Sequence, residues 1–434
     1  MSIKISIVTA FPALYEPFVT TSLLKKADEK GLISCDIQSL FSFVEPRERI
    51  DAPPYGHGAG MLIKPMIIER AVDAQESKYG KALKVFFSPH GQKMTQPVLA
   101  QLAKKIESAQ HVMLLPARYE GMDARVEELY ADAILSVGDC VLMGGDIPAM
   151  MFLEGVLRLI PGIVGKESSV EQDSFSGSYV DYPSYTEPVV WQDKEVPAVL
   201  RSGDHGAVDK WRHAQAVERT VFDHFNWLRG SSLTKAEKKE VEALIPQHYA
   251  ALMHTDVLVS AERILGTTSV TSLDIHDIAR SARTYGIQEY YIVTPLTDQQ
   301  KVVQKLLDFW HHGPGRPYNP NRFEAVNQVS IQNSLDAVVE RIRVQTGQVP
   351  LIVATSAVVT EHKGLITYYD QREVWRHKRP VLLIFGTGRG LAPHMLDRAD
   401  YLLVPLDGIT QFNHLSVRSA AAIIFDRWLG LNKR

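Results

Sequence analysis

The sequence predicts an α/β protein with two mostly parallel sheets in tandem and a small helical domain after the first. Three observations predict this. Short apolar runs that read as strands alternate with longer stretches of helical period, the pattern of a parallel sheet with helices on both faces. Glycine loops follow the late strands of each half, and in such sheets the ligand sits beyond the carboxyl ends of the strands. A polar, Gly/Ser-rich stretch from Pro161 to Tyr185 then interrupts the pattern. The expected layout is an α/β domain over 1–160, a mobile linker over 161–185, a helical domain over 186–248 and a second α/β domain over 252–434.

Composition sets the outer bounds. The chain has 434 residues, 45% hydrophobic and 22% charged, enough for large globular cores. A formal net charge of −3 gives no global attraction to nucleic acid, so any RNA contact must come from local patches, and no DNA partner is expected. Cys35 and Cys140 form neither a disulfide framework nor a CxxC metal pattern, which fits a reducing cytoplasm. The amino terminus alternates like a strand and lacks the apolar run of a secretory leader. No stretch is apolar enough over a bilayer's thickness, so no membrane partner is expected.

Taken in order, Ile3 to Ala10 reads as a buried strand and Phe11-Pro12 breaks it. A helical pattern follows to Lys30, and Ile33 to Leu40 is a second strand. Pro54-Tyr-Gly-His-Gly-Ala-Gly-Met61 is a flexible glycine loop; Met61 stands where a GxGxxG motif needs its last glycine. Pro65 to Tyr79 reads as a helix. The runs at Lys84–Ser88 and His111–Pro116 are strands. The loops that begin at Ser88, Ala117 and Ser136 each follow a strand and should converge on one site. Ser136 to Met150 carries closely spaced glycines among apolar residues, which lets a backbone approach a flat, partly apolar ligand. An apolar helical run from Met150 to Ile160 follows.

From Pro197 to Ile245 the pattern is helical, with Arg212, His213, Arg219 and Arg229 among aromatic residues; a solvated face and an RNA-binding face both fit. Thr234-Lys-Ala-Glu237 forms a capping box, and a boundary is expected near 246–255. Asp256–Ser260 and Thr267–Leu273 read as strands and Asp274–Tyr285 as a helix. Glu289–Thr294 is a strand and Thr297–Trp310 a helix. His311-His312 lack further ligands at a metal-binding spacing, which favours a surface loop, and no metal site is assigned. Leu351–Thr355, Val381–Phe385 and Tyr401–Val404 are strands; the second runs into Gly386-Thr-Gly388-Arg-Gly390-Leu391. His414–Leu429 is an apolar helix.

Several of these motifs, in this order, closely resemble the bacterial TrmD family of tRNA (guanine-N1)-methyltransferases over about residues 1–245. They are Pro54 to Met61, Ser88-Pro89, Arg118-Tyr-Glu-Gly-Met-Asp123, Ser136-Val-Gly-Asp, Gly144-Gly145, Gln172-Asp-Ser-Phe175 and Ser202-Gly-Asp-His205. Ala117 and Asp204 depart from the family's usual glycine and asparagine. The resemblance implies a SPOUT fold with a deep trefoil knot, S-adenosylmethionine bound within it, and a homodimer whose active sites are shared by two chains. It implies methylation of the guanosine just 3′ of the anticodon. The cofactor residues it implies are Ser88, Pro89, Arg118, Tyr119, Glu120, Gly121, Ser136, Val137, Gly138, Val141, Leu142, Gly144 and Gly145. Asp173 and Arg158 would be the catalytic pair, and Asp51, Asp181 and His205 would contact substrate. Family behaviour also implies a magnesium requirement, although no metal-ligand cluster is visible.

The chemistry can be argued separately. Guanine N1 carries a proton at neutral pH, so a general base must remove it as the new bond forms, and a carboxylate can do so. Charge that develops on O6 calls for a nearby cation. An aspartate in a polar loop can equally be a helix cap, and an arginine on an apolar helix can simply snorkel.

The second half resembles another SPOUT-type RNA methyltransferase domain through Leu273-Asp-Ile-His-Asp-Ile-Ala-Arg280, Tyr291 to Pro295, Gly386-Thr-Gly388 and Asn413-His-Leu-Ser. This implies cofactor contacts at Thr355, Phe385, Gly386, Gly388, Leu406 and Leu415. It also implies ribose 2′-O transfer, with Arg280, His276 and Asn413 as substrate residues. His276 could instead be a satisfied helix histidine. A purely RNA-binding or dimer-forming module is the alternative for this half. A nucleotide-dependent oxidoreductase is disfavoured by the missing last glycine in both loops.

Overall fold

The computed structural model describes residues 2–164 and 173–431, in two compact units, Met1–Gly177 and Ser178–Arg434. The linker positions 165–172, including Gln172 of the Gln-Asp-Ser-Phe motif, lie outside the described residues.

The first unit is built on strands β1 (Ile3–Thr9), β2 (Ile33–Ser39), β3 (Leu83–Lys93), β4 (His111–Leu115) and β5 (Ala133–Ser136), in the order β2-β1-β4-β3-β5. All neighbours are parallel, so each connection must cross a face of the sheet. The helices α1 (Ser22–Glu29), α2 (Pro65–Tyr79), α3 (Gln96–Ala109), α4 (Ala124–Tyr130) and α5 (Asp146–Leu157) lie between or after the strands. One face packs Ile5, Ile7 and Leu114 with Leu102, Phe152 and Val156; the other packs Val8, Phe86 and Met113 with Ile67 and Ile68. With both faces covered, β4 is buried at every position, which is why it reads as an unbroken apolar run.

Two features depart from expectation. The helix expected up to Lys30 is interrupted at Thr20–Thr21, whose hydroxyls donate to the Glu16 and Pro17 carbonyls. The strand expected at 84–88 continues to Lys93 through a register break, in which Phe87 and Gln92 both face Leu135. The break pushes Ser88 to Gly91 out of the ladder. Gly91 passes so close to β5 that a Cβ would stand 2.7 Å from the Ile134 carbonyl carbon.

The second unit begins with helices α6 (His205–Asp223), α7 (Phe225–Leu228) and α8 (Lys235–Leu244). The capping box at Thr234 and Glu237 is formed. Its sheet contains β6 (His248–Met253), β7 (Ile287–Val293), β8 (Val329–Gln332), β9 (Leu351–Thr355), β10 (Leu365–Ile366), β11 (Val381–Gly386) and β12 (Tyr401–Leu403), in the order β8-β7-β6-β11-β9-β12-β10. Helices α9 (Ser272–Thr284) and α10 (Thr297–His311) follow β6 and β7, and α11 (Val417–Leu429) closes the chain.

The central strand β6 falls inside the stretch read as a domain boundary. It is buried at every residue, so it shows no alternation to mark it. Conversely, Thr267–Leu273 is not a strand: Thr271 caps α9 by accepting from the Asp274 amide. The 186–248 segment does not stand apart from the second sheet. Val221, Phe222, Phe225 and Val241 share one core with Leu252, Trp375 and Trp428. Arg229, grouped with basic residues that could meet RNA, is buried and donates to the carbonyls of Asp426, Arg427 and Gly430 at the end of α11. It caps a helix C-terminus, where a cation is favoured.

His248 sits at the heart of this core. Its Nδ1 bonds the Pro246 carbonyl (2.6 Å), and its Nε2 accepts from the indoles of Trp428 (3.0 Å) and Trp375 (3.3 Å). An acceptor at Nε2 means a neutral ring, and burial pushes its pKa down to about 4; burial does the same to His254. The unfolded chain therefore takes up protons below its ordinary pKa of 6.5 while the fold resists them. Stability should be full above pH 6.5 and fall as pH drops towards 4, by about 3 kcal/mol per histidine. Denaturant melts read by tryptophan fluorescence at pH 7.5 and 4.5 check this; equal midpoints would contradict it.

Candidate functional site

The first unit's loops after β3, β4 and β5 do converge. They enclose a cavity of about 270 Å³ lined by Ser88, Pro89, Tyr119, Glu120, Gly121, Ser136, Val137, Val141, Leu142, Gly144 and Gly145, with Phe87, Leu135, Cys140 and Pro148. Gly144 and Gly145 allow this closeness. A Cβ at Gly145 would lie 2.9 Å from the Ala117 amide nitrogen, and one at Gly144 2.6 Å from Arg118 Cδ. Ser136 Oγ bonds the carbonyl and amide of Gly138, whose φ of 141° suits glycine. The glycine loop at 54–61 is tied in as well: the Glu120 amide donates to the Met61 carbonyl, and Gly60 packs on the Glu120 side chain.

Arg118 and Gly138 are not among the cavity's lining residues. Arg118 instead binds Asp146 (Nε–Oδ2 2.5 Å) and lies over the Phe11 ring. Asp146 is fully buried and also accepts from Thr9 Oγ1 (2.6 Å) and Tyr15 OH (3.1 Å). Burial, with the Asp146 charge beside it, holds the Tyr15 phenol far above its ordinary pKa. Arg118 is thus a strut between the 117–121 loop and the first turn of α5. Asp146, Thr9 and Tyr15 escaped the sequence reading. The signal was there, an acidic residue at the start of an apolar helix.

Asp173 and Arg158 come together. The guanidinium donates Nε to Oδ2 (2.6 Å) and Nη2 to Oδ1 (2.8 Å), a bidentate pair that is half-buried. The hydrogen bond raises the Arg158 pKa further. The pair does not line the 270 Å³ cavity. Asp51 is buried at the base of the glycine loop and accepts from Arg49 (3.1 Å). Asp181 and His205 belong to the second unit. Arg219 holds Asp181 through its carbonyl at 3.1 Å, and His205 opens α6 after the Asp204 cap.

The second unit holds a cavity of about 960 Å³ at the carboxyl ends of β6, β9 and β11. Thr355, Phe385, Gly386, Gly388, Leu406, Leu415 and Asn413 all line it. Arg280 and His276 do not. His276 packs edge-on against Trp310 at 5.5 Å between ring centres, and its buried Nδ1 has no hydrogen-bond partner among the described residues, so it is not the satisfied helix histidine of the alternative reading. Five further residues that line it had been given no site role in the sequence, namely His254, Thr268, Thr387, Asp274 and Arg418. Asp274 is buried and accepts from Arg418 (3.1 Å) and Thr271 (2.8 Å). His254 follows β6 directly, so recognising that strand would have placed it at the ligand end of the sheet.

Among the described residues no group of three or more His, Cys, Asp or Glu side chains could hold a metal ion. No helix of the described residues is long and apolar enough to cross a membrane.

Both halves of the chain match known families. Residues 3–229 match the family described as tRNA (Guanine-1)-methyltransferase TrmD, and residues 247–430 match one described as SAM-dependent RNA methyltransferase. A tRNA (guanine-N(1)-)-methyltransferase of Nitratidesulfovibrio vulgaris is 40% identical over 98% of this chain and 99% of its own length. One of Oleidesulfovibrio alaskensis is 37% identical over the same shares. A shorter one of Deinococcus radiodurans is 43% identical over 55% of this chain and 85% of its own.

Proposed function

Because the chain belongs to the tRNA (guanine-N1)-methyltransferase family, we propose that it methylates N1 of the guanosine 3′ of the anticodon in tRNA, with Asp173 as the general base. The observation that carries this reading is the bidentate Arg158–Asp173 pair. It aligns the only side-chain types this chemistry needs, a carboxylate for the N1 proton and a cation for the O6 charge. Each carboxylate oxygen keeps a free lone pair while bonded to Arg158, so the clamp orients the base without blocking it.

The first cavity fits the donor. Phe87, Leu135, Leu142 and Pro148 offer apolar walls for a flat adenine, and Ser88, Ser136 and Glu120 offer polar groups for a ribose. S-adenosylmethionine, when bound, supplies an electrophilic methyl group on a sulfonium. As the N1–carbon bond forms and the sulfur–carbon bond breaks, Asp173 takes the N1 proton, so the sulfonium's positive and the carboxylate's negative charge vanish together. A partly desolvated site favours such a loss of charge.

A homodimer completes the reading. The Arg158–Asp173 pair does not line its own chain's cavity, and Val141, which does, is exposed together with Met143, Ile147 and Met151 in the loop and helix that follow, Met143 at 92%. An apolar cluster of this kind calls for a cover. Each α/β unit would then be a knotted SPOUT domain acting in the cytoplasm. For the second unit, the 960 Å³ cavity supports a second S-adenosylmethionine-dependent RNA methylation over a pure binding module, and the resemblance of Gly386-Thr-Gly388 and Asn413-His-Leu-Ser is what makes a ribose 2′-hydroxyl its proposed target.

Nucleoside mass spectrometry of unmodified total RNA treated with the full chain tests both parts. We expect 1-methylguanosine in tRNA and a 2′-O-methylated nucleoside beside it. Absence of 1-methylguanosine would defeat the first assignment. Absence of the second product would leave the module reading for the C-terminal unit.

A further inference from the structure

The Pro/Gly-dense stretch from His311 to Asn321 lines neither the first nor the second cavity. It is closely packed all the same. A Cβ at Gly313 would stand 2.7 Å from the Phe309 carbonyl oxygen, and one at Gly315 2.7 Å from Trp310 Cε3. The chain can therefore fold back on the end of α10 as a helical turn, Gly315–Tyr318, and a short helix, Pro320–Val326. Asn319 caps that helix by accepting from the Arg322 amide (3.0 Å). The fixed turn presents Tyr318 with 80% of its surface open, and Phe309 is exposed as well.

Two arginines of this segment lie on aromatic rings, Arg316 over Phe323 (5.0 Å) and Arg322 over Trp310 (5.6 Å). A third, Arg280, is close by on α9. Burial lowers the His276 pKa, and the charges of Arg322 and Arg280 lower it further against Asp277, so both guanidinium groups stand near that ring. Among the described residues none of the three arginines makes an ion pair. Of the acids around them, Glu324 is held by Arg283, Asp277 by Arg418, and the Asp308 carboxylate accepts from Gln304 (2.8 Å). The result is a positive patch on a chain whose formal charge is −3. Ordinary solvated arginines of this unit pair with acids, as Arg341, Arg343 and Arg398 do. A guanidinium stacked on a ring uses its face and keeps the N–H donors at its edge, in the planar fork that suits a phosphate. An open tyrosine ring on a fixed backbone suits a base, and only an unpaired base offers its face.

The patch begins at the rim of the second cavity. Asp274 and Arg418 line that cavity, Arg418 reaches Asp277 (3.8 Å), and Arg280 lies one turn further along α9. We propose that Arg280, Arg316, Arg322 and Tyr318 form a docking surface for a single-stranded stretch of RNA next to the nucleotide held in the second cavity, with the arginines on its phosphates and Tyr318 on a base. This rests on the reading of the second unit as an RNA methyltransferase, and it adds the surface that holds the strand outside the reaction site.

The test cross-links the full chain under ultraviolet light to a short single-stranded RNA carrying 4-thiouridine and maps the joined peptides by mass spectrometry. The second methylated nucleoside is measured in the same preparations. Peptides from 309–322 should carry RNA, and the duplex form of the same RNA should compete poorly for them. Tyr318→Ala, at a side chain open to solvent, leaves the fold intact and should raise the half-saturating RNA concentration at this site by about fivefold or more, the usual effect of losing one stacked base. Arg316→Gln combined with Arg322→Gln should weaken the site and flatten its salt dependence by about 0.7 in log–log slope for each phosphate lost. Formation of 1-methylguanosine should be unchanged in Tyr318→Ala. A second product formed with no RNA on 309–322 overturns the surface and keeps the methyltransferase reading. RNA on 309–322 that is indifferent to all three substitutions, or duplex RNA that competes equally well, overturns the assigned contacts. RNA on 309–322, lost in the variants, with no second product supports the surface and overturns the methyltransferase reading instead.

Discussion

Asp173→Asn is expected to lower guanine N1 methylation by about 10²–10⁴-fold, the usual contribution of a positioned general base, while S-adenosylmethionine binding stays within about twofold. Asparagine keeps the shape of the side chain and one acceptor for Arg158. It cannot take a proton. The Arg158–Asp173 pair is partly open to solvent, with side chains 39% and 29% exposed, so its loss costs the fold about 1 kcal/mol or less. Lost activity therefore cannot be put down to unfolding. The cofactor should be unaffected because neither residue lines the first cavity. Single-turnover methylation of a tRNA transcript, read beside cofactor affinity, separates the two effects. Wild-type turnover in Asp173→Asn would remove this residue from the mechanism.

Asp146→Ala should cost the first unit about 3–5 kcal/mol, the range for removing one partner of a buried ion pair. The carboxylate is inaccessible to solvent and gathers Arg118, Thr9 and Tyr15. Without it the Thr9 hydroxyl loses its side-chain acceptor, Arg118 keeps only the Met143 carbonyl (3.4 Å), and Tyr15 keeps only the Asp146 carbonyl (3.3 Å). The loss should also be felt at the cavity, since Arg118 ties the 117–121 loop to α5 and that loop forms one wall. S-adenosylmethionine affinity should fall together with the urea midpoint. Asp146→Asn, which keeps the volume and one acceptor, should cost less. A midpoint unchanged in Asp146→Ala would show that Arg118 does not depend on this partner.

These two aspartates show what the sequence could and could not reveal. Asp173 was visible through the motif around it, and its arginine partner through the same resemblance; the structure adds that they touch. Asp146 was hidden, because its importance lies in burial, and a charged residue at the start of an apolar run looks like an ordinary helix cap. The three cavity loops of the first unit were legible from glycine spacing and strand order. The protrusion of Ser88 was not, because it comes from a register break between β3 and β5 rather than from a turn sequence. In the second unit the apolar strands β9, β11 and β12 stood out between polar neighbours. The central β6 did not, since a six-residue run after Pro246 has no period to distinguish it from the end of a helix. Losing β6 meant losing His254 as a residue of the second cavity. The helices at 205–244 looked independent because their charges suit a solvated surface, while Val221, Phe225 and Arg229 carry the contacts that join them to the second core.

The most direct test is a structure of the full chain with a tRNA anticodon stem-loop and S-adenosylhomocysteine. An Asp173 carboxylate oxygen, from either copy in the assembly, should lie within about 3.2 Å of guanine N1, with Arg158 towards O6. A guanine seated against the cofactor with no Asp173 carboxylate in reach of N1, directly or through one water, would contradict the mechanism.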